Sequence, residues 1–373
     1  MSERVPLTTV AREWGRIGCV GFGGPPAHIA LLRRLCVDER GWLDTAEFED
    51  AVAACNLLPG PASTQLAIYT AWRVAGSAGA IVGGLGFVVP GLVAILALAW
   101  LFLAGSPPDW VRGAGDGAGA AVAAVAVQAG LSLVPASRGR ARLFVAWLAY
   151  VTVGAVAGAT VGSWLVLVLL GCGVAEVVRR RLIGPGSLAV LAQSAPAVGG
   201  FGALAWLALK VGLFSYGGGF VIVPLMQSDA IAHGWVTHAQ FLNAVALGQI
   251  TPGPVIHTVT AIGYAAHGLE GGVLAAAIAF APSFAFVLFG GRYFSALRES
   301  RIAAAFFDGA GPAAIGAILG SAVPLARALT EPWQWIVLGG AAVVLLGLRR
   351  GVVPTLLLAG ASGVAVVLAG GAA

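Results

Sequence analysis

Two basic residues carry the sharpest chemical signal in the chain. Lys210 is the lone lysine among 373 residues and follows the apolar run Phe201–Leu209. Arg16 stands 194 positions earlier, and each of the two precedes a run of glycines. A cation at the centre of a bilayer costs about 2.5–3.5 kcal/mol, so it persists only where it is paired or faces a polar cavity. Two cations from two related segments would suit an anion site. The plainer alternative is that both side chains reach back to the headgroups.

The residues after them are those that open a helix. Gly23-Gly24-Pro25 follows Arg16, and Gly217-Gly218 follows Lys210. Freed backbone N–H groups or a half-helix N-terminus there could donate to an anion, or the break could be a packing kink. Pro59-Gly60-Pro61 and Pro252-Gly253-Pro254 form a second matched pair of breaks. Asn56, Ser63, Thr64 and Gln65 flank the first, and Gln249, Thr251, His257 and Thr258 the second. Hydroxyls and amides at membrane depth can replace a hydration shell, or can simply bond one helix to another. Substrate contacts are therefore expected from Arg16, Lys210, Gly23, Gly24, Gly217, Gly218, Asn56, Gln249, Thr64 and His257. Asp116 and Asp308 occupy matched positions and suit coupling groups; the competing reading makes them helix N-caps. For His257 a local helix role competes with proton relay, and Glu176 is spaced to pair with Arg179 and Arg180.

Other chemistries lack their residues. The chain holds no Walker A sequence, no Ser-His-Asp grouping and no metal-ligand cluster, so neither an enzyme nor a bound cofactor or metal is expected. Hydrophobic residues make up 59% and charged residues 10%. Soluble domains carry about 25% charged residues, so this chain cannot cover a water-facing surface. Mean hydropathy is +0.92. The excess of five positive charges then orients loops in a bilayer and gives no reason to invoke nucleic acid. The four cysteines show no metal spacing and are expected as free thiols.

The elements that must position these residues are membrane helices of about 20 residues each. Apolar spans are expected at Ala78–Leu103, Gly113–Val134, Leu143–Thr160 and Ser163–Val178, and again at Gly271–Phe289, Ile302–Leu325, Trp335–Leu348 and Val352–Ala369. Before each series lie two glycine- and proline-interrupted segments, Trp14–Leu35 with Ala51–Trp72, and Leu204–Gln227 with Phe241–Ala266. Such segments suit broken or re-entrant helices lining a cavity. The fold class is thus an all-α polytopic membrane protein of two homologous halves: residues 1–182, a basic Gly-Pro linker at 183–198, and residues 199–373. The offset between matched motifs drifts only from 194 to 192 over about a hundred residues, and fused repeats are typical of secondary transporters.

Charge placement argues that the halves are inverted. Ser137–Arg142 and Arg179–Arg181 hold three arginines each, whereas their counterparts are poor in them; Arg349-Arg350 and Arg292–Arg301 reverse that balance. Inversion requires an odd number of crossings by Leu204–Ala266. It also places Arg4, Arg12 and Arg16 on the outer side, against the rule.

On Phe22-Gly23-Gly24-Pro25, Tyr216-Gly217-Gly218-Gly219 and the two Pro-Gly-Pro motifs, the chain resembles the chromate ion transporter superfamily in its long two-domain form. The resemblance covers nearly the whole chain. It implies chromate export across the cell inner membrane, driven by the membrane potential or by proton exchange, and chromate resistance. It maps the family's basic residue onto Arg16 and Lys210 and its Pro-Gly-Pro motif onto residues 59–61 and 252–254. Gly219 departs from the pattern, since Pro25 stands at the matched place. The implied partners are chromate or a similar oxyanion, a proton as coupling ion, the lipid bilayer and, left open, a second copy of the chain. A passive anion channel and a sulfate transporter are the alternatives.

Overall fold

The computed structural model describes residues 5–56, 58–103, 105, 107–180, 200–215, 220–290 and 300–371. Among them there are helices and no strand. The first half runs α1 (Leu7–Val20), α2 (Pro25–Arg33, continuing into a wide turn at Arg34–Glu39), α3 (Thr45–Cys55), α4 (Ala62–Leu103), α5 (Asp109–Ala120), α6 (Val122–Arg140), α7 (Phe144–Thr160) and α8 (Leu165–Arg179). The second runs α9 (Phe201–Phe214), α10 (Ile222–Ala232), α11 (His238–Ile250), α12 (Thr258–Gly290), α13 (Arg301–Arg327), α14 (Pro332–Ala342) and α15 (Val352–Leu368). Among the described residues, four stretches are long and apolar enough to cross a membrane: Ala62–Leu103, Asp109–Arg140, Val255–Gly290 and Arg301–Arg327. The expected linker at 183–198 and residues 291–299 lie outside the described residues.

Matched sequence makes matched backbone. Asp44 caps α3 by accepting from the Glu47 N–H, and Thr237 caps α11 with a reciprocal Gln240 bond. Both long helices bend at a glycine of positive φ, Gly76 (+70°) and Gly268 (+63°). Those bends correct the expectation of separate elements on either side of Trp72–Ala78 and His267–Glu270. A glycine without Cβ can redirect a helix in one residue, so no loop is needed. The span expected at Gly113–Val134 is likewise two helices, α5 and α6, meeting at Ala121.

Glycines also set how the halves meet. Gly84 of α4 packs against the Phe284 ring of α12, and Gly272 of α12 packs against Leu96 of α4. The two helices, which are each other's counterparts, therefore pass in opposite directions. Gly154 and Gly158 of α7 lie on the backbone of Ala313 and Ala317, while Gly316 and Gly320 lie on Val151 and Ala155. α7 and α13 thus run parallel through small residues four apart, the spacing that lets membrane helices approach closely. Gly113 meets Gly363 and Gly117 meets Ala359, so α5 and α15 run antiparallel. The late helices of each half accordingly pack on the other half.

Candidate functional site

The breaks that flank each half's long helix converge at the crossing of α4 and α12. Gly60 and Gly253 hold φ of +108° and +93°, a region that side-chain-bearing residues enter at a cost of about 1–2 kcal/mol. Gly60 sits against the Gly212 carbonyl of α9, the Gln65 amide and the Ser283 hydroxyl of α12. Gly253 sits beside Gly91 of α4 and the His257 ring, and its N–H donates to the Gly21 carbonyl oxygen at 2.9 Å. Gly91 and Ser283 are matched positions, each following the proline inside its helix, Pro90 or Pro282. Each Pro-Gly-Pro loop therefore seats on the opposite half.

This junction is polar and closed to solvent. Ser63, Thr64, Gln65, Thr251, His257, Thr258, Thr260 and Ser283 are all buried. His28 Nε2 lies 2.8 Å from the Gly21 carbonyl oxygen and Nδ1 lies 3.2 Å from Ser63 Oγ. A carbonyl only accepts, so Nε2 carries the hydrogen and the Ser63 hydroxyl donates to Nδ1. Thr64 Oγ1, Gln65 Oε1, Ser283 Oγ, Thr260 Oγ1, Gln249 Nε2 and both His257 ring nitrogens make no hydrogen bond. The Val88 carbonyl stands near His257, but not in bonding geometry. An unsatisfied buried polar group costs about 1–3 kcal/mol, and several at one junction call for a ligand or water to complete them.

The expected cations stand apart from that set. The Arg16 side chain is 57% exposed and pairs with Glu13 at 3.3 Å and Glu39 at 3.8 Å. Lys210 is 12% exposed, pairs with Asp229 of α10 and lies over the Trp206 ring. Both are therefore compensated by carboxylates of their own half. After Gly23 and Gly24 the start of α2 has no free donor in its first turn. Pro25 and Pro26 have no N–H, and the N–H groups of Ala27 and His28 both bond the Gly24 carbonyl. Helix α2 thus offers no open N-terminus from those four residues. Gly217 and Gly218 lie outside the described residues. Asn56 is exposed, whereas Thr64, Gln249 and His257 are buried.

Asp116 and Asp308 are interior to α5 and α13, which corrects the N-cap reading: Ser300 caps α13, and Pro108 precedes α5. Their surroundings differ. Asp308 accepts from Arg180 at 2.7 Å, and Arg180 also bonds Glu176, which Arg179 and Tyr150 reach as well. Asp116 lies beside the Asn243 amide of α11, and Arg112, one turn away, is bonded to Asp109. Among the described residues no group of three or more His, Cys, Asp or Glu side chains could hold a metal ion.

Sequence reasoning missed His28, Ser283 and Asp229. No spacing rule marks a histidine two residues past Pro26, and Ser283 lies in an apolar run whose only cue is the preceding Pro282.

The model of the Chromate transporter family matches residues 8–177 and 202–367. A "Chromate transport protein" of Cupriavidus metallidurans is 34% identical over 328 residues, covering 84% of this chain and 80% of the relative. A protein of the same name from Pseudomonas aeruginosa is 31% identical over 338 residues, 85% and 80% of the two chains. A "Probable chromate transport protein" of Synechococcus elongatus is 30% identical over 336 residues, 86% and 85%. No solved structure matches.

Proposed function

This chain belongs to the chromate transporter family, and on that premise we propose that it exports chromate from the cytoplasm as a secondary active transporter and so confers chromate resistance. The observation that carries the reading is the junction of the two Pro-Gly-Pro loops, where each half's break seats on the other half's long helix and leaves buried polar atoms unbonded. We infer that the halves are inverted, because the counterparts α4 and α12 pass in opposite directions while the non-equivalent α7 and α13 run parallel. Inverted halves give alternating access by rocking one against the other around a central site.

Chromate is a tetrahedral dianion, and its hydration shell must be replaced by protein donors. Thr64, Gln65, Gln249, His257 and Ser283 supply hydroxyl, amide and imidazole groups at the junction. Arg16 and Lys210 supply positive charge from α1 and α9, each on exchanging its carboxylate partner for the anion. Asp308 is held by Arg180, so Asp116 is the acid of the matched pair put forward for proton coupling.

The test is uptake of radiolabelled chromate into inside-out vesicles, with sulfate in parallel, with and without an imposed proton gradient. Accumulation above the equilibrium set by the membrane potential, enhanced by the gradient, supports the exporter. Flux that only relaxes existing gradients assigns a passive channel instead. Preference for sulfate reassigns the substrate.

A further inference from the structure

We propose that His28 and His257, one from each half, accept the charge-balancing proton when an oxyanion occupies the junction, so that anion and proton bind together. The proposal rests on the transport reading above and assigns roles at its site. Both imidazoles are fully buried. Each packs on a phenylalanine of its own half's long helix: His28 edge-on to Phe87 with centroids 5.0 Å apart, and His257 against Phe280, also at 5.0 Å. The rings are joined through one backbone link. His28 donates to the Gly21 carbonyl, the Gly253 N–H donates to the same oxygen, and the His257 ring stands next to Gly253, where a Cβ would meet it.

Among the described residues, a dianion brought to this place finds neutral donors and no free cation beside them. Arg16 and Lys210 are already paired. The other charged and titratable groups on the elements packed around the two rings are spent or remote. α1 brings Glu13 and Arg16, which pair with each other, Cys19, and Arg12 on its exposed face. The turn after α2 brings Arg34 and Glu39, also paired, and the exposed Asp38; α2 itself brings Arg33, paired with Glu49. α4 brings Tyr69 and Arg73, the latter bound to Glu47. α11 brings His238 at its first residue, and α12 brings Tyr264, His267 and Glu270 near or beyond its bend. Among the described residues, His28 is the titratable group linked to the His257 loop, through the Gly21 carbonyl and the Gly253 N–H. An uncompensated charge in a low-dielectric site is strongly disfavoured, and when Arg16 or Lys210 turns to the anion it leaves its own carboxylate uncompensated, so a proton on an imidazole still supplies the missing charge. His257 has both ring nitrogens unbonded, so it can take a proton on one and donate from one of them to an oxyanion. His28 can do so at Nδ1 once the Ser63 hydroxyl turns away.

Linkage gives the sign. The anion favours the protonated ring, so affinity rises as pH falls, by about tenfold per unit while one proton is taken up per anion. The experiment uses the purified full chain in detergent, at pH values above that at which chromate itself takes a proton. Chromate, sulfate and molybdate are each titrated by calorimetry, and proton uptake is followed with an indicator dye in weak buffer. We expect roughly one proton per chromate bound. His257→Gln and His28→Gln, checked for membrane insertion and a monodisperse peak, should each reduce uptake and flatten the pH dependence of affinity. Chromate binding without proton uptake in the wild-type protein overturns the proposal and leaves the transport reading standing. Binding of sulfate or molybdate with proton uptake, and of chromate not at all, keeps the proposal and overturns the substrate. Binding of none of the three overturns both.

Discussion

His28 and Gly253, from opposite halves of the chain, donate to a single atom. The Gly21 carbonyl oxygen at the end of α1 accepts from His28 Nε2 at 2.8 Å and from the Gly253 N–H at 2.9 Å. The end of the first helix, the start of the second and the far Pro-Gly-Pro loop are thereby fixed to one another. Any motion that opens the junction must break or carry this oxygen.

Gly253→Ala tests the importance of that geometry. At φ +93° the new Cβ costs about 1–2 kcal/mol, and relaxing it turns the N–H away from Gly21. Gly41 also has a positive φ, +57°, but open space around it. Both variants should lose comparable stability in thermal unfolding, while chromate uptake into vesicles falls sharply for Gly253→Ala alone. Equal uptake by the two would show that the loop is only a turn.

Inversion makes a prediction about sides. Ser106 and Ser295 fall in the matched sequence stretches Gly105–Arg112 and Arg292–Arg301, the first with one arginine and the second with three. Introduced singly as cysteines, after replacement of Cys19, Cys36, Cys55 and Cys172, they should react with an impermeant maleimide from opposite faces of the membrane. Reaction from one face would reject inversion.

The repeat, the breaks and the class of fold are legible in the sequence because glycine, proline and caps act locally and recur at a fixed offset. Gly76 and Gly268, or Asp44 and Thr237, need only their own neighbours to fix the backbone. The site is less legible because its contacts cross between halves. Asp229 of α10 meets Lys210 of α9 across nineteen positions of sequence, and nothing in its spacing announces that. His28 has Ile222 at its matched position, so the repeat conceals it. Arg16 is read as a cation for an anion site from its place in an apolar stretch, and its partners Glu13 and Glu39 come from the turn of its own helix and from the segment after α2, which spacing alone does not announce.

Helix α13 allows one kind of substitution with two opposite outcomes. Gly316 packs directly on the Val151 backbone, so Gly316→Ala forces α7 and α13 apart, at about 1–3 kcal/mol. Gly311 has open space around its Cβ position, so Gly311→Ala should stabilise by up to about 1 kcal/mol through helix propensity. Thermal unfolding of the purified protein should move in opposite directions. Shifts of the same sign would contradict the close parallel packing of the two helices.

The two matched acids should behave differently. Asp308→Asn leaves Arg180 without one of its two carboxylates and should destabilise by about 3 kcal/mol, the lower end for a broken buried pair. Arg180→Gln in the same chain should recover part of that loss. Asp116→Asn removes no such pair; it should leave stability near wild type and flatten the dependence of transport on the proton gradient. If Asp116→Asn keeps the wild-type dependence, the coupling proton travels elsewhere.

Lys210 now has a structural partner, so its loss must be separated from the loss of an ion pair. Lys210→Gln removes the lysine partner of the Asp229 carboxylate in a site only 13% exposed, and breaking such a pair costs about 3–5 kcal/mol. Failure of that variant alone would therefore say nothing about anion binding. In Lys210→Gln combined with Asp229→Asn, no charge is stranded, and stability and membrane insertion should recover. If Lys210 exchanges Asp229 for chromate during transport, the double variant stays inactive while folded. Asp229→Asn alone, which frees the ammonium from its competitor, should bind chromate more tightly and turn over more slowly. Lys210→Arg should keep part of the activity, because charge survives while donor geometry changes. Arg16→Gln lacks this complication, since its side chain is exposed and Glu13 retains Arg40. It should lose resistance with little loss of stability. Full transport by the folded Lys210→Gln, Asp229→Asn protein would remove Lys210 from the substrate path and leave the pair as a structural tie between α9 and α10.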